Sequence, residues 1–336
     1  MSRALLEVED LHVRFWTRRG TVHAVNGISF SLSPGETLGI VGESGCGKSV
    51  TALALMGILP RAGRVTAGTA RYQGRDLYAQ SEAEWQRFRG QEVAMIFQDP
   101  MTSLNPVLTV GRQLREAIEA HLDLGRDQTF KRVVELLERV GIPQAKARVN
   151  DYPHQFSGGM RQRAMIAMAL ACEPKVLIAD EPTTALDVTI QAQILDLLRD
   201  LVTERGTALV LITHDLGVVA GMCERVQVMY AGTVVETGDA SPIFASPRHP
   251  YTLGLLQSVP RLDAGKRQAL EPIEGSPPNM LAEPTSCPFA PRCRYAQADC
   301  LAQLPALTAL GPGQRAACFH PVPVDEWQRS RFIGVT

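Results

Sequence analysis

The chain has 336 residues, and its 34 Lys and Arg against 35 Asp and Glu leave a formal net charge of −1. The length is typical of two domains of ~100–200 residues each, and the balanced charge excludes the basic excess of a general nucleic-acid-binding protein, so we expect no nucleic-acid partner. No run of 18 apolar residues occurs and the acidic N-terminus is unlike a signal peptide, so we expect no span of a membrane and a reducing, cytosolic compartment.

The first predicted elements are strands. Apolar and polar residues alternate with period two over residues 5–32, which predicts antiparallel strands. An apolar strand follows at residues 36–41, and residues 50–56 read as the start of a helix. The eight residues between them match G-x-x-x-x-G-K-[ST]. They are Gly42, Glu43, Ser44, Gly45, Cys46, Gly47, Lys48 and Ser49.

This phosphate loop (residues 42–49) has the strand–loop–helix context that phosphate binding requires. Its backbone N–H groups and the N-terminus of the helix, which continues with Val50, are expected to face a bound β-phosphate. Lys48 should reach the β- and γ-phosphates, and the Ser49 hydroxyl should ligate Mg²⁺. Phe15 and Trp16 end the first strand. These rings are either core or edge aromatics, or one of them stacks on an adenine, and we assign that role to Phe15.

The middle of the chain alternates predicted strands and helices. A strand at residues 93–97 ends at Gln98, and residues 111–119 and 130–140 have helical spacing of apolar side chains. We therefore predict a helical subdomain over about residues 99–170. Ser157, Gly158 and Gly159 open a further helix, and such a helix start is a second anion site.

Polar residues follow two later strands of apolar sequence. Residues 176–179 lead into Asp180 and Glu181, and residues 209–212 lead to His214. A buried strand that delivers an Asp is how P-loop ATPases hold Mg²⁺, and the adjacent Glu can polarise an attacking water. Because the carboxyl ends of parallel strands share one edge, we expect these groups, Gln98 and the phosphate loop at the same edge.

Taken in order, these motifs resemble the ATP-binding subunit of ABC transporters over roughly residues 5–260. The resemblance implies an α/β fold: a P-loop NTPase of ABC type with a RecA-like core, an antiparallel β subdomain, an inserted α-helical subdomain and a small loop-rich C-terminal cysteine domain. The expected domains are residues 1–260 and 261–336.

The resemblance also implies a role for each motif in binding and hydrolysing ATP. Residues 42–49 correspond to the Walker A loop and Gln98 to the Q-loop glutamine, which with Ser49 and Asp180 would hold Mg²⁺. Ser157, Gly158 and Gly159 resemble the signature loop, although Phe156 and Met160 depart from its commonest form. The remaining matches are Asp180 and Glu181 for Walker B, Asp187 for the D-loop and His214 for the switch histidine.

Two longer sequence segments, residues 96–106 and 247–252, are similar to those of the ATPases of dipeptide and oligopeptide importers. The implied function is ATP hydrolysis coupled to uptake of a peptide or similar solute, from the cytoplasmic face of the membrane. The implied partners are a second related ATPase subunit or a second copy, two integral membrane permease subunits and an external solute-binding protein. The alternatives are a soluble ABC ATPase of translation or DNA repair, and an ATPase driven by a redox-sensing tail.

The C-terminal tail, residues 261–336, carries 10 of the 22 prolines and four of the seven cysteines. Cys287, Cys293, Cys300 and Cys318 are separated by five, six and 17 residues, whereas zinc knuckles prefer roughly two to four. A segment with a small hydrophobic core needs a cross-link such as a metal centre. The longer spacing favours a [4Fe–4S] cluster, which similar peptide-importer ATPases carry in this position. Zn²⁺ and unligated thiols are the alternatives, with His320 as a substitute ligand.

Overall fold

The computed structural model describes residues 4–184, 186–258 and 272–324. The chain divides into two compact units. The first unit comprises Met1–Leu5, Leu32–Thr37 and Tyr78–Ile212, and the second comprises Leu6–Ser31, Leu38–Leu77 and Thr213–Thr336. The expected domain boundary between residues 260 and 261 lies outside the described residues.

The chain combines strands and helices, as an α/β fold requires. The strands are β1 (Leu6–Thr17), β2 (Gly20–Leu32), β3 (Thr37–Val41), β4 (Gly63–Tyr72), β5 (Arg75–Asp76), β6 (Val93–Ile96), β7 (Val176–Asp180), β8 (Ala208–Thr213), β9 (Arg225–Tyr230), β10 (Thr233–Asp239), β11 (Thr308–Gly311) and β12 (Gln314–Ala316). The helices are α1 (Lys48–Leu55), α2 (Glu82–Gln91), α3 (Pro100–Ser103), α4 (Val110–Glu119), α5 (Arg126–Arg139), α6 (Ala145–Arg148), α7 (Gly158–Ala169), α8 (Val188–Arg205), α9 (Leu216–Met222), α10 (Ala240–Ala245), α11 (Pro250–Gln257) and α12 (Ala298–Ala302).

The first unit is built on parallel strands. β6 pairs with β7 from Val93 and Val176 onward, and β7 pairs with β8 in the same direction. Every residue of β6, β7 and β8 is buried, so their sequences are continuous apolar runs rather than alternating ones. Helices α3 to α7 lie between β6 and β7 in the chain, within the stretch predicted to form a helical subdomain.

The second unit contains an antiparallel sheet with strand order β2-β1-β4-β5, in which Leu6 of β1 faces Tyr72 of β4. The predicted antiparallel strands are confirmed. In the same unit β3 pairs in parallel with β9, and β9, β10, β12 and β11 continue as antiparallel neighbours. β12 brings the C-terminal region into this sheet, with Ala316 opposite Glu236.

Close packing of α9 on β3 fixes the strand that leads into the phosphate loop. A Cβ atom on Gly39 would lie 2.5 Å from Cγ1 of Val219, nearer than van der Waals contact allows. Glycine at this position therefore lets α9 lie directly against β3. The predicted α/β class, with an antiparallel layer and inserted helices, is confirmed by this architecture. Within the described residues, every helix is too short or too polar to cross a bilayer.

Candidate functional site

The phosphate loop connects β3 to α1 in the second unit, and two of its glycines have backbones that only glycine fits. Gly42 and Gly47 have φ angles of 154° and 101°. A Cβ atom would lie 2.2 Å from the Met229 carbonyl oxygen at Gly42 and 2.4 Å from the Ala24 carbonyl oxygen at Gly47. The loop is therefore pressed against neighbouring backbone on one side, while Ser44 and Gly45 are exposed on the other. An exposed loop of this shape fits a phosphate group.

Lys48 is buried at the start of α1, and its ammonium group is held within the loop. Nζ donates hydrogen bonds to the carbonyl oxygens of Gly42 at 2.7 Å and Glu43 at 3.0 Å. The Cys46 thiol lies 3.8 Å from Nζ, and burial raises its pKa, so the side chain is a neutral filler. The cation therefore lies inside the phosphate loop, bonded to two of its carbonyl oxygens.

The acidic residues predicted from the strand ends lie in the first unit. Asp180 is the last residue of β7 and is buried. Glu181 follows it with φ of 46°, an uncommon angle for a residue with a side chain, and its N–H donates to the Ile212 carbonyl oxygen at 2.8 Å. This bond fixes the turn that carries the carboxylate out of the sheet.

The Glu181 carboxylate accepts hydrogen bonds from two polar side chains. Gln98 donates from Nε2 to Oε2 at 3.2 Å, and Thr184 donates its hydroxyl proton to the same oxygen at 2.8 Å. The expectation that Gln98 and Glu181 share one edge is met within this unit. Thr184 was missed as a site residue, although its position three residues after Glu181 was a signal available in the sequence.

The signature loop (Ser157, Gly158, Gly159) begins α7. The Ser157 hydroxyl accepts a hydrogen bond from the Met160 N–H at 3.3 Å, which caps the helix, and Ser157 and Gly158 are exposed. Asp187 is likewise exposed and caps α8 by accepting the Ile190 N–H at 3.0 Å. These residues form a solvent-facing surface of the first unit.

His214 and Phe15 belong to the second unit. His214 is exposed immediately after β8, and the Asp215 carboxylate caps α9 beside it by accepting N–H groups of Gly217 and Val218. The Phe15 ring lies over Gly63, its partner in the β1–β4 ladder, while the adjacent Trp16 side chain is exposed. The role of Phe15 toward adenine stays a prediction.

Two family descriptions match the chain. "ABC transporter" matches residues 25–184, and "Oligopeptide/dipeptide transporter, C-terminal region" matches residues 235–300. The oligopeptide transport ATP-binding protein OppD of Salmonella typhimurium is 54% identical over 321 residues, covering 96% of this chain and 95% of that protein. The chain belongs to the oligopeptide/dipeptide family of ABC transporter ATP-binding proteins.

Other relatives agree with this membership. The dipeptide transport ATP-binding protein DppD of Bacillus subtilis is 52% identical over 316 residues, covering 94% of each chain. The solved dimer of the ATP-binding cassette MJ0796 with ADP and Pi superposes with a TM-score of 0.64 at 26% identity, covering 70% of this chain and 98% of that one. The predicted ABC-type P-loop fold is confirmed, and the chain is an ATP-hydrolysing ABC ATPase. The alternative of a non-transport ABC ATPase is not favoured.

The prediction of a [4Fe–4S] cluster is wrong. Cys287, Cys293, Cys300 and Cys318 do line one cavity, but its volume is only about 10 Å³, close to the space of a single water molecule. Burial raises the pKa of the thiols of Cys287, Cys293 and Cys318, the last to about 12.

The ligand geometry and the relatives support the same correction. In the part of the chain that the structure describes, the one group of metal-binding side chains with ligand atoms within 4.8 Å of one another is Asp299, Cys300 and His320, which contains a single thiol. His320 Nε2 lies 2.9 Å from both Asp299 carboxylate oxygens, within hydrogen-bond distance. The relatives are named simply as ATP-binding proteins.

Proposed function

We propose that this ATPase powers the uptake of oligopeptides or dipeptides through a membrane transporter. The observation that carries the proposal is the match over both parts of the chain. The relatives OppD and DppD, named for oligopeptide and dipeptide transport, align over at least 94% of this chain, and the description "Oligopeptide/dipeptide transporter, C-terminal region" matches residues 235–300.

For ATP binding, the proposal assigns the phosphate loop, Val50 and Phe15 to the nucleotide. The N–H groups of residues 42–49 hold the phosphates, Lys48 turns from the loop carbonyls toward the β- and γ-phosphates, and Phe15 stacks on adenine. Ser49, Gln98 and Asp180 supply oxygen ligands suited to Mg²⁺, which would neutralise phosphate charge.

For hydrolysis, Glu181 is the residue that accepts a proton from the attacking water. Its carboxylate is held by Gln98 and Thr184, so its orientation is set before ATP binds. As water attacks the γ-phosphorus, the bond to the β-phosphate oxygen breaks, and His214 donates a hydrogen bond to the γ-phosphate.

The proposed assembly pairs this chain with a second related ATPase subunit or a second copy of itself. The exposure of Ser157, Gly158 and Asp187 supports a site completed by a partner chain, and MJ0796, a related cassette, is a dimer. Two integral membrane permease subunits and an external solute-binding protein would complete the transporter. The pair would then lie peripherally on the cytoplasmic side of the membrane, without a nucleic-acid partner.

Reconstitution tests this proposal. The chain, two permease subunits from the same organism and a peptide-loaded binding protein are placed in proteoliposomes, and ATP hydrolysis and peptide uptake are measured together. We expect hydrolysis to rise with the loaded binding protein and uptake to require ATP, with Lys48→Ala as the inactive control. A chain that fails to associate with the permease subunits and hydrolyses ATP equally well alone would instead support a soluble ABC ATPase.

A further inference from the structure

Glu43, the second residue of the phosphate loop, is held at each of its polar groups. Its N–H donates to the Tyr251 hydroxyl at 2.8 Å, and its carbonyl oxygen accepts from Lys48 Nζ at 3.0 Å. Its carboxylate accepts two hydrogen bonds from Arg292, at 2.6 Å and 3.0 Å. Arg292 and Tyr251 both lie far outside the loop motif, so residues of the C-terminal region hold this position.

The Arg292 guanidinium is fully engaged in this arrangement. Its side chain is only 6% exposed, Nε donates to the Glu274 carbonyl oxygen at 2.9 Å, and Nη1 also donates to the Tyr230 hydroxyl at 3.2 Å. The hydrogen bonds to Glu43 raise the pKa of Arg292. A planar fork that makes paired bonds to a carboxylate is a geometry that lysine cannot reproduce.

An aromatic cluster beneath Arg292 holds it in place. The Tyr230 and Tyr251 ring centroids are 4.7 Å apart, and the Phe289 ring lies 5.2 Å from one and 5.3 Å from the other. All three side chains are buried, and Phe289 directly precedes the 3₁₀ turn Ala290–Arg292. The guanidinium therefore reaches Glu43 from a packed platform, with little side-chain entropy left to lose.

An acidic side chain in a loop that binds a polyphosphate needs this compensation. A carboxylate at Glu43 would repel ATP unless a cation neutralised it, and a half-buried charge is screened only weakly. We propose that Arg292 is a positioning residue of the ATP site, through which the C-terminal region sets the affinity for ATP. The inference rests on the assignment of residues 42–49 as the phosphate site.

A double-mutant cycle on the purified full-length chain tests the pairing. Equilibrium binding of Mg-ATP is measured for wild type, Arg292→Gln, Glu43→Gln and the double variant. We expect Arg292→Gln to weaken binding about tenfold, because it leaves the Glu43 charge facing the phosphates. The double variant should bind within about twofold of Glu43→Gln alone, since the repelling charge is then gone.

This rescue separates positioning from folding. Both Arg292→Gln chains lack the same packing contacts, so a defect that is merely structural would persist in the double variant and make the two losses additive. Additive losses, or an unchanged affinity in Arg292→Gln, would overturn the inference. Arg292→Lys, which keeps the charge without the paired geometry, should fall between wild type and Arg292→Gln.

Two further variants complete the experiment. Arg315→Gln is the matched control, because this arginine of the same C-terminal region donates to the Leu307 carbonyl oxygen, and it should bind ATP as wild type does. Lys48→Ala should weaken ATP binding if residues 42–49 form the phosphate site. Normal binding by Lys48→Ala would refute that assignment and this inference together, whereas weak binding by Lys48→Ala with normal binding by Arg292→Gln refutes this inference alone.

Discussion

At the scale of single residues, Glu181 combines strain with fixed hydrogen bonds. A positive φ at a residue with a side chain costs on the order of 1–3 kcal/mol, and such strain persists where the surroundings enforce it. Here the bond from the Glu181 N–H to the Ile212 carbonyl oxygen and the donors Gln98 and Thr184 enforce it. The carboxylate is therefore held in one orientation, which suits the proposed role of general base.

Glu181→Gln should leave ATP affinity near that of wild type and lower the hydrolysis rate by about 10²–10⁴-fold, because the amide keeps the shape but cannot accept the proton of water. Single-turnover hydrolysis and equilibrium ATP binding check the two parts separately. Thr184→Val is a useful companion, since it removes one donor to the same oxygen and should lower the rate by less. Hydrolysis by Glu181→Gln at close to the wild-type rate would contradict the assignment.

At the scale of elements, the start of α11 is tied to β10 and β12 through one buried carboxylate. Glu236 accepts the N–H groups of Arg248 and His249, at 2.8 Å and 3.0 Å, and the Gln314 side-chain amide at 2.8 Å. His249 caps α11 by accepting the Tyr251 N–H on Nδ1, which requires a neutral ring. Burial lowers the pKa of His249 to about 3.

This pKa gives a pH dependence of stability with a definite sign. In the unfolded chain the pKa of His249 is about 6.5, so the ring binds a proton below that pH. In the folded chain it binds a proton only near pH 3. Stability therefore falls as the pH falls from about 6.5 to about 3. Between pH 7 and pH 5 the loss from His249 is about 2 kcal/mol. Between pH 7 and pH 5 the free energy of unfolding of His249→Gln should therefore fall by about 2 kcal/mol less than that of wild type. An equal fall in the two proteins would refute this role of His249.

At the scale of the whole molecule, the predicted site residues are divided between the two units. The phosphate loop and His214 belong to one, while Gln98, Glu181 and the signature loop belong to the other. Ser157 and Gly158 are exposed at the start of α7. A signature loop that faces solvent in a single chain is available to the nucleotide of a partner chain.

Ser157→Arg should therefore damage the partner's ATP site rather than its own. Each ATPase chain of the assembled transporter carries a tag of different mass, and labelling by a photoreactive ATP analogue under trapping conditions is measured on each. We expect labelling of the partner to fall at least about tenfold, because a bulky side chain blocks the approach of the γ-phosphate. Lys48→Ala, as a control, should remove labelling of the chain that carries it, and loss confined to the Ser157→Arg chain would contradict the shared site.

The sequence by itself determined the phosphate loop, the acids that end β7 and the helices and strands that carry them. Each of these depends on neighbours in the chain: a glycine pattern of eight residues, an apolar run followed by carboxylates, or a period of two or 3.6. Such local patterns fix backbone geometry directly. They also placed Gln98 and Glu181 correctly at one edge, because parallel strands must end together.

Only the tertiary structure decided what depends on distant residues. Glu43 lies 249 positions from Arg292 and 208 positions from Tyr251 in the sequence. No local pattern could therefore show that the C-terminal region forms hydrogen bonds with the phosphate loop. The cysteines failed as a predictor for the same reason. Their spacing is a property of the chain, whereas the small cavity that they line and the distances among their sulfur atoms arise from how the surrounding segments pack.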